Sequence, residues 1–275
     1  MKHGELGSLI AKKNNGFYLT VFFIFFGTAI LLSLVARGIT LYNNAQFTGN
    51  SIMLLVVTEK NSHIMRLDKA TQQLSLLKIV DVAIDTDDIS TASIRTGVPI
   101  HAAIIIKNPT ADIRDIVTVG GIIKLLMSNG VSLIQLNEYD AVNIAYAAQK
   151  IPSDRTTVKE IKNYIDDRSI ISQIDHELYE LFRDPEVINE RISIEVVNAT
   201  NISGLATSVA QMLENGGYTV VAIRSSQVQK SMIQTNNTET ITAKNVKKIF
   251  GFPQTSLGKN AVADIRIVIG EDTEQ

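Results

Sequence analysis

The chain has 275 residues, a formal net charge of −2 at pH 7 and no cysteine. The near-balanced charge offers no basic field for nucleic acid, and without cysteine there is neither a disulfide nor a thiol nucleophile. The composition, 45% hydrophobic with no tryptophan, is typical of α/β proteins with buried apolar strands.

The first predicted element is a membrane-spanning helix. Residues 17–35, FYLTVFFIFFGTAILLSLV, carry no charge. A helix of this length rises about 28 Å, close to the ~30 Å hydrocarbon core of a bilayer. The run is longer than the apolar core of a signal peptide and no A-x-A-like cleavage site follows it, so we expect an uncleaved signal anchor over residues 17–36.

Basic residues lie before this helix rather than after it. Lys2, Lys12 and Lys13 precede it, whereas Arg37 is the only charge for many residues beyond it. Because basic flanks stay on the cytoplasmic side, we predict a cytoplasmic tail over residues 1–16 and place everything after the helix outside the cytoplasm.

A polar stalk is expected over residues 37–50, and closely spaced strands follow it. Apolar, β-branched runs predict these strands over 51–58, 63–67 and 74–80. The aspartates after them suggest a metal site, but the glycine of a calcium loop is missing. We therefore expect a solvated loop and no metal at these positions: Asp81, Asp85, Asp87 and Asp88.

In the middle of the chain, strand and helix patterns alternate. The predicted elements are a strand over 99–107 that stops at 108–110, a helix from 111 to 128 that Gly120 and Gly121 break, and helices over 138–149 and 177–182. Residues 156–174 fit a strand or a helix equally well. The run 183–185, Arg-Asp-Pro, predicts a domain boundary.

The last part of the chain predicts a β-α-β-β-α-β order. The predicted strands cover 191–198, 218–223, 232–235 and 263–270, and the predicted helices are 204–215, with Ser203 as N-cap, and one that Thr238 caps and Gly251 ends. This order indicates a compact α/β layer fold.

Four sequence blocks in this part carry a family resemblance. They are VVNAT at 196–200, SGLA at 203–206, LENGGYTV at 213–220 and ADIRIVIGED at 263–272. In this order they resemble the LytR C-terminal domain, a small module at the end of many LytR-CpsA-Psr envelope proteins, and we place it at residues 191–272. The resemblance implies a single-pass anchor with the module outside the cytoplasm.

Residues 51–183 are expected to form a second α/β domain. The segments 52–57, 64–77 and 97–100 resemble a diverged LytR-CpsA-Psr catalytic domain. Family enzymes transfer a glycopolymer from a polyprenyl pyrophosphate, and arginines and aspartates hold the diphosphate and a metal ion. Where the family's Ile-Pro-Arg-Asp motif would stand, residues 78–81 read Lys-Ile-Val-Asp, and residues 62–63 read Ser-His in place of Asp-Thr.

The missing arginine favours a non-catalytic role. A diphosphate needs the bidentate fork of arginine, which a single lysine does not reproduce. We therefore expect a binding or scaffolding protein of the bacterial cell wall, without a cofactor, whose partners are the membrane and a wall glycan or polyprenyl phosphate lipid. Two alternatives stay open. One is an active transferase that uses Mg²⁺ and takes its cations from Arg95, Arg114 or Lys107. The other is a regulatory ectodomain, although the cytoplasmic tail leaves no room for an effector domain.

A turn between strand and helix supplies the other candidate ligand-binding residues. Asn198, Thr200 and Gly204 lie just before a helix N-terminus, where backbone N–H groups can receive a polar or anionic ligand. The alternative, that the Asn and Thr side chains only close the turn, is favoured because both are turn formers.

Overall fold

The computed structural model describes residues 4–45, 47, 49–80, 84, 88–107, 113–161, 178–227, 230–259 and 261–273, with the backbone alone for residues 4–16. The chain divides into two compact units, residues 1–45 and residues 46–275.

The first unit is a single long helix, α1 (Gly4–Asn43). Its section from Phe17 to Asn43 is long and apolar enough to cross a membrane, and none of its most apolar stretch is buried in protein. The hydroxyls of Thr28 and Thr40 donate to the carbonyl oxygens four residues earlier, at 2.8 and 3.0 Å, so that they are satisfied without water. Residues 37–43 of the expected stalk are part of this helix.

The second unit contains two sheets, of which the first has six strands in the order β5-β4-β1-β2-β3-β6. The strands are β1 (Ser51–Val57), β2 (Ser62–Asp68), β3 (Gln73–Ile79), β4 (Ala102–Ile106), β5 (Val131–Ile134) and β6 (Thr156–Ile161). The predicted hairpins are confirmed, because β1, β2 and β3 pair antiparallel in sequence, while β4 and β6 join the sheet parallel to β1 and β3.

Helices cover both faces of the first sheet. One face packs against α3 (Ile113–Ile116), α4 (Val119–Met127) and α5 (Glu138–Gln149). The other face packs against α2 (Ile89–Thr96) and α6 (178–182). Because both faces are covered, β1 is almost continuously apolar and buried.

The second sheet has five strands in the order β10-β9-β11-β7-β8. The strands are β7 (Ser193–Ala199), β8 (Thr219–Ser225), β9 (Met232–Thr235), β10 (Gln254–Thr255) and β11 (Ile265–Gly270). The helices of this part of the chain are α7 (Pro185–Glu190), α8 (Leu205–Asn215) and α9 (Ile241–Phe250). With the short β10 added, the predicted β-α-β-β-α-β order is confirmed, and β7 lies between β11 and β8, parallel to both.

Helices α8 and α9 pack on one face of this second sheet. Ile194, Val196 and Ile267 of the sheet meet Val209, Val246 and other apolar side chains of the two helices. On the opposite face the described residues form only a small apolar cluster around Val197 and Val268. Within the part of the chain that the structure describes, no helix packs on this second face, which we call the open face, in contrast to both faces of the first sheet.

The layers of the two sheets are joined directly. The side chain of Asn215, at the end of α8, donates to the Gly97 carbonyl oxygen at 2.9 Å, and Asp184 N–H donates to the Gly216 carbonyl oxygen at 2.9 Å. Within the second layer, Glu190 at the end of α7 accepts hydrogen bonds from the first two backbone N–H groups of α9, at 2.7 and 2.8 Å. Both layers belong to the same compact unit, and the division at 183–191 into two domains stays a prediction.

Several local predictions were wrong, for identifiable reasons. The break in the helix after residue 111 falls at Thr118, whose side chain caps α4, and not at Gly120 or Gly121, which lie inside α4. Helix α8 begins after Gly204 in the left-handed conformation rather than after a Ser203 cap. Helix α9 is capped by Thr240, whose hydroxyl accepts from Ala243 N–H, because Thr238 lies in the preceding turn.

Other predictions concern residues that the structure describes only in part. The undecided range 156–174 begins with β6, and its residues from 162 onward lie outside the described residues. Asp81, Asp85, Asp87 and residues 108–110 also lie outside them. The remaining aspartate, Asp88, is the N-cap of α2. Partial burial opposes ionisation of Asp88, but hydrogen bonds from Ser90 and Thr91 outweigh it and lower its pKa.

Candidate functional site

The structure brings Asn198, Thr200 and Gly204 together in the turn between β7 and α8. The Asn198 amide oxygen accepts from Thr200 N–H at 3.0 Å and from the Thr200 hydroxyl at 2.8 Å, and the amide nitrogen donates to the Ile202 carbonyl oxygen at 2.8 Å. Gly204 adopts a φ of 79°, a conformation that favours glycine. The side chains thus close the turn, as the alternative expected, and a ligand contact there stays a prediction.

The structure does not bring Arg95 and Arg114 together. Arg95 lies on α2, whose apolar residues Ile89 and Ala92 pack against one face of the first sheet. Arg114 lies on α3, whose Ile116 packs against the opposite face. The sheet therefore separates the two guanidinium groups.

A third arginine, Arg66, lies in the first sheet itself and pairs with a buried aspartate. Arg66 in β2 is 5% exposed, and its Nη2 lies 2.7 Å from Asp68 Oδ2. The same carboxylate accepts from the N–H groups of Ala70 and Thr71, which closes the turn after β2. This pair stabilises the hairpin.

The open face of the second sheet carries a groove of about 450 Å³. Among the lining residues, Glu195 in β7 is only 1% exposed. Its two carboxylate oxygens lie 2.6 Å from Arg266 Nε in β11 and 3.1 Å from Arg224 Nε in β8. The central strand thus supplies the carboxylate, and the strands on both sides supply one guanidinium each.

The groove has polar walls and an apolar floor. Arg266 also donates through Nη1 to the Gln234 side-chain oxygen, at 3.4 Å. Val197, Val268 and Met232 line the groove between the polar groups. At one end Ser226 donates its backbone N–H to the Asn198 carbonyl oxygen at 2.9 Å, so the groove begins next to the predicted turn.

Sequence reasoning missed Glu195, Arg224 and Arg266. A signal was present, because Glu195 and Arg266 are single charged residues inside the apolar strands SIEVVNA and IRIVIG. Alternate residues of a strand point to opposite faces, so such a charge indicates a face that is not packed on a core. The pairing of the three residues depends on the strand order, which the sequence does not give.

A buried histidine lies between the layers of the two sheets. His101 is 4% exposed and accepts a hydrogen bond from Met53 N–H through Nδ1, at 3.3 Å. Burial, reinforced by the charge of Lys248, lowers the pKa of His101 to about 3. Both residues line a cavity of about 170 Å³ together with Asp184, whose pKa burial raises. His101 is thus neutral at ordinary pH.

No group of three or more His, Cys, Asp or Glu side chains that could hold a metal ion occurs among the described residues.

A protein-family model matches the last part of the chain. Residues 191–272 match the model of the family described as LytR cell envelope-related transcriptional attenuator. These residues are a LytR C-terminal domain. The match begins just before β7 and ends after β11, so the groove belongs to this domain, and the protein is cell-envelope-related.

The remaining comparisons add little to the LytR C-terminal domain. No curated protein matches the chain. Among solved structures the chain is similar to the Lin1025 protein from Listeria innocua, at 11% identity over 70% of this chain and 88% of that chain, but the TM-score is only 0.19. A likeness this small supports no argument about fold. The resemblance of residues 51–183 to a LytR-CpsA-Psr catalytic domain stays a prediction.

Proposed function

We propose that this protein is a single-pass membrane protein whose folded region lies outside the cytoplasm and binds cell-wall material without catalysing a reaction. The observation that carries the proposal is the groove of the LytR C-terminal domain. It lies on a sheet face that no helix of the described residues covers, and it presents two arginines around one buried carboxylate. Concave sites with an apolar floor and a few oriented polar groups are typical of ligand binding.

The charge pattern around α1 supports the orientation. Three lysines precede the apolar section and Arg37 alone follows it closely, which favours a cytoplasmic N-terminus. The envelope-related domain begins well after the helix and would then face the cell wall.

The positions of the arginines support binding over glycopolymer transfer. A pyrophosphate site requires several cations that converge on one point. Arg95 and Arg114 lie on opposite sides of the first sheet, and Arg66 is buried against Asp68. None of these three can join another at a shared phosphate without moving a helix or breaking the buried pair.

Sedimentation with purified cell-wall sacculi tests the proposal. Full-length protein in lipid nanodiscs should pellet with sacculi in a saturable manner, and empty nanodiscs should stay in solution. Sacculi stripped of their attached glycopolymers tell whether the peptidoglycan or the glycopolymer is bound. The proposal fails if the protein does not pellet with either preparation, or if it transfers glycan from a polyprenyl pyrophosphate donor to the sacculi.

A further inference from the structure

The two arginines of the groove share one buried carboxylate. Each guanidinium carries five N–H donors, whereas a carboxylate offers about four acceptor positions. Glu195 and the Gln234 oxygen therefore cannot accept all the donors of Arg224 and Arg266. Since the Arg224 side chain is 56% exposed, its spare donors face the solvent of the groove.

The described residues that line the groove carry one net positive charge. Arg224, Arg266 and Glu195 are the charged residues among those that line it. A single excess positive charge complements a monoanion, and the planar fork of arginine matches the two oxygens of a carboxylate. The carbon chain next to such a carboxylate can lie on the apolar floor formed by Val197, Val268 and Met232.

Glu195 fixes the positions of these donors in advance. Its carboxylate lies on the central strand β7 and is nearly inaccessible to water. It restrains Arg266 through a 2.6 Å hydrogen bond to Oε2, and it attracts Arg224 through an ion pair at Oε1, 3.1 Å away, without a hydrogen bond. A site whose donors are held in place before binding loses less side-chain entropy when the ligand arrives. Glu195 is therefore a positioning residue rather than a ligand-binding residue.

From these relations we propose that the groove binds a carboxylate-bearing ligand with a short apolar body, such as the carboxyl end of a peptide. Arg224 receives the carboxylate, Glu195 pairs with both Arg224 and Arg266, and the apolar floor takes the adjacent alkyl groups. This carboxylate site rests on the proposed function, because it specifies the ligand chemistry of the groove that we propose binds cell-wall material.

The test compares two probes that differ only in the carboxylate. N-acetyl-alanyl-alanine and its C-terminal amide are titrated into full-length protein in nanodiscs by isothermal calorimetry, with inorganic phosphate as a second anion. The acid should bind at least tenfold more tightly than the amide and than phosphate. Equal binding of acid and amide, tighter binding of phosphate, or no binding of the acid up to its solubility limit would overturn the proposal.

Matched variants locate the site. Arg224→Gln should weaken binding of the acid at least tenfold, and Arg224→Lys should weaken it less, because lysine keeps the charge but loses the fork. Lys247→Gln makes the same change of charge on the exposed side of α9, which covers the other face of the sheet, and should leave binding unchanged. If Arg224→Gln and Lys247→Gln weakened binding of the acid equally, Arg224 would not be the residue that receives the carboxylate. If Arg224→Gln fails to fold, the acid-against-amide comparison on the unaltered protein decides alone.

The two proposals fail in distinguishable ways. If the protein binds the acid but does not pellet with sacculi, the carboxylate site stands and the cell-wall role falls. If it pellets with sacculi but does not discriminate acid from amide, the cell-wall role stands and the carboxylate site falls.

Discussion

The side chain of Asn215 donates a 2.9 Å hydrogen bond to the carbonyl oxygen of Gly97, and both residues are buried. Gly97 ends α2 in the first layer with a φ of 67°, and Asn215 ends α8 in the LytR C-terminal domain. A buried carbonyl that loses its donor costs roughly 1–3 kcal/mol. The contact therefore couples the stability of the LytR C-terminal domain to that of the layer beside it.

Substitution of the neighbouring glycine tests this coupling. A Cβ at Gly216 would overlap the Pro99 ring of the first layer, so Gly216→Ala should destabilise the folded region by about 1–3 kcal/mol. Gly120→Ala in α4 meets no atom within 4 Å and should be neutral or stabilise by about 0.5–1 kcal/mol. Denaturant unfolding followed by circular dichroism measures both, and equal stability of the two variants would show that the layers do not pack as described.

The two arginines of the groove should differ in their contribution to stability. Arg266→Met removes the closer and more buried partner of Glu195 and should lower the free energy of unfolding by about 2–3 kcal/mol, because it leaves a buried carboxylate poorly compensated. Arg224→Met removes a side chain that is 56% exposed and should cost about 1 kcal/mol or less. Denaturant unfolding compares the two variants. A larger loss of stability for Arg224→Met than for Arg266→Met would contradict the observed positions of the two arginines around Glu195.

His101 should make stability depend on pH. The pKa of His101 is about 3 in the folded protein, against 6.5 for an ordinary histidine, so only the unfolded chain takes up its proton between these values. The contribution of His101 to the free energy of unfolding should therefore be greatest above pH 6.5 and fall below it, by at most about 1.4 kcal/mol per pH unit.

The variant His101→Gln isolates this contribution. Between pH 6.5 and 4.5 its free energy of unfolding should fall less steeply than that of the unaltered protein, while the carboxylates contribute equally to both. Parallel pH profiles would mean that His101 is not buried as a neutral side chain.

A bulky residue at the rim of the groove should impair binding to the cell wall. Ser226 is exposed and lines the groove, so Ser226→Trp should weaken sedimentation with sacculi at least tenfold without affecting the core. Thr207→Trp places the same side chain on the exposed surface of α8 and serves as the control. If the two variants bound sacculi equally well, the groove would not be the wall-binding surface.

The elements that the sequence predicted well are those with a strong local pattern. The apolar section of α1 follows from length and lack of charge, and α5 from an alanine-rich helical pattern that its observed bounds, Glu138–Gln149, match. Some short elements escaped prediction. Strand β5 has four residues, and α7 begins with Pro185, which suggested a boundary although proline is favourable in the first turn of a helix.

The candidate site was harder to predict because it depends on tertiary structure. Arg224 and Arg266 come from strands that are distant in the chain and meet only because β8 and β11 both flank β7. By contrast, Asn198 and Thr200 interact across two residues, so their turn follows from local chemistry.

The side of the membrane on which the folded region lies decides the proposed function most directly. The chain has no cysteine, so Lys247→Cys introduces a single thiol on an exposed surface of the LytR C-terminal domain, and Lys2→Cys introduces one in the predicted cytoplasmic tail. A membrane-impermeant maleimide should label the Lys247→Cys variant in intact spheroplasts. It should label the Lys2→Cys variant only after the spheroplasts are lysed. Labelling of position 2 in intact spheroplasts, with position 247 protected, would contradict an extracytoplasmic wall-binding protein.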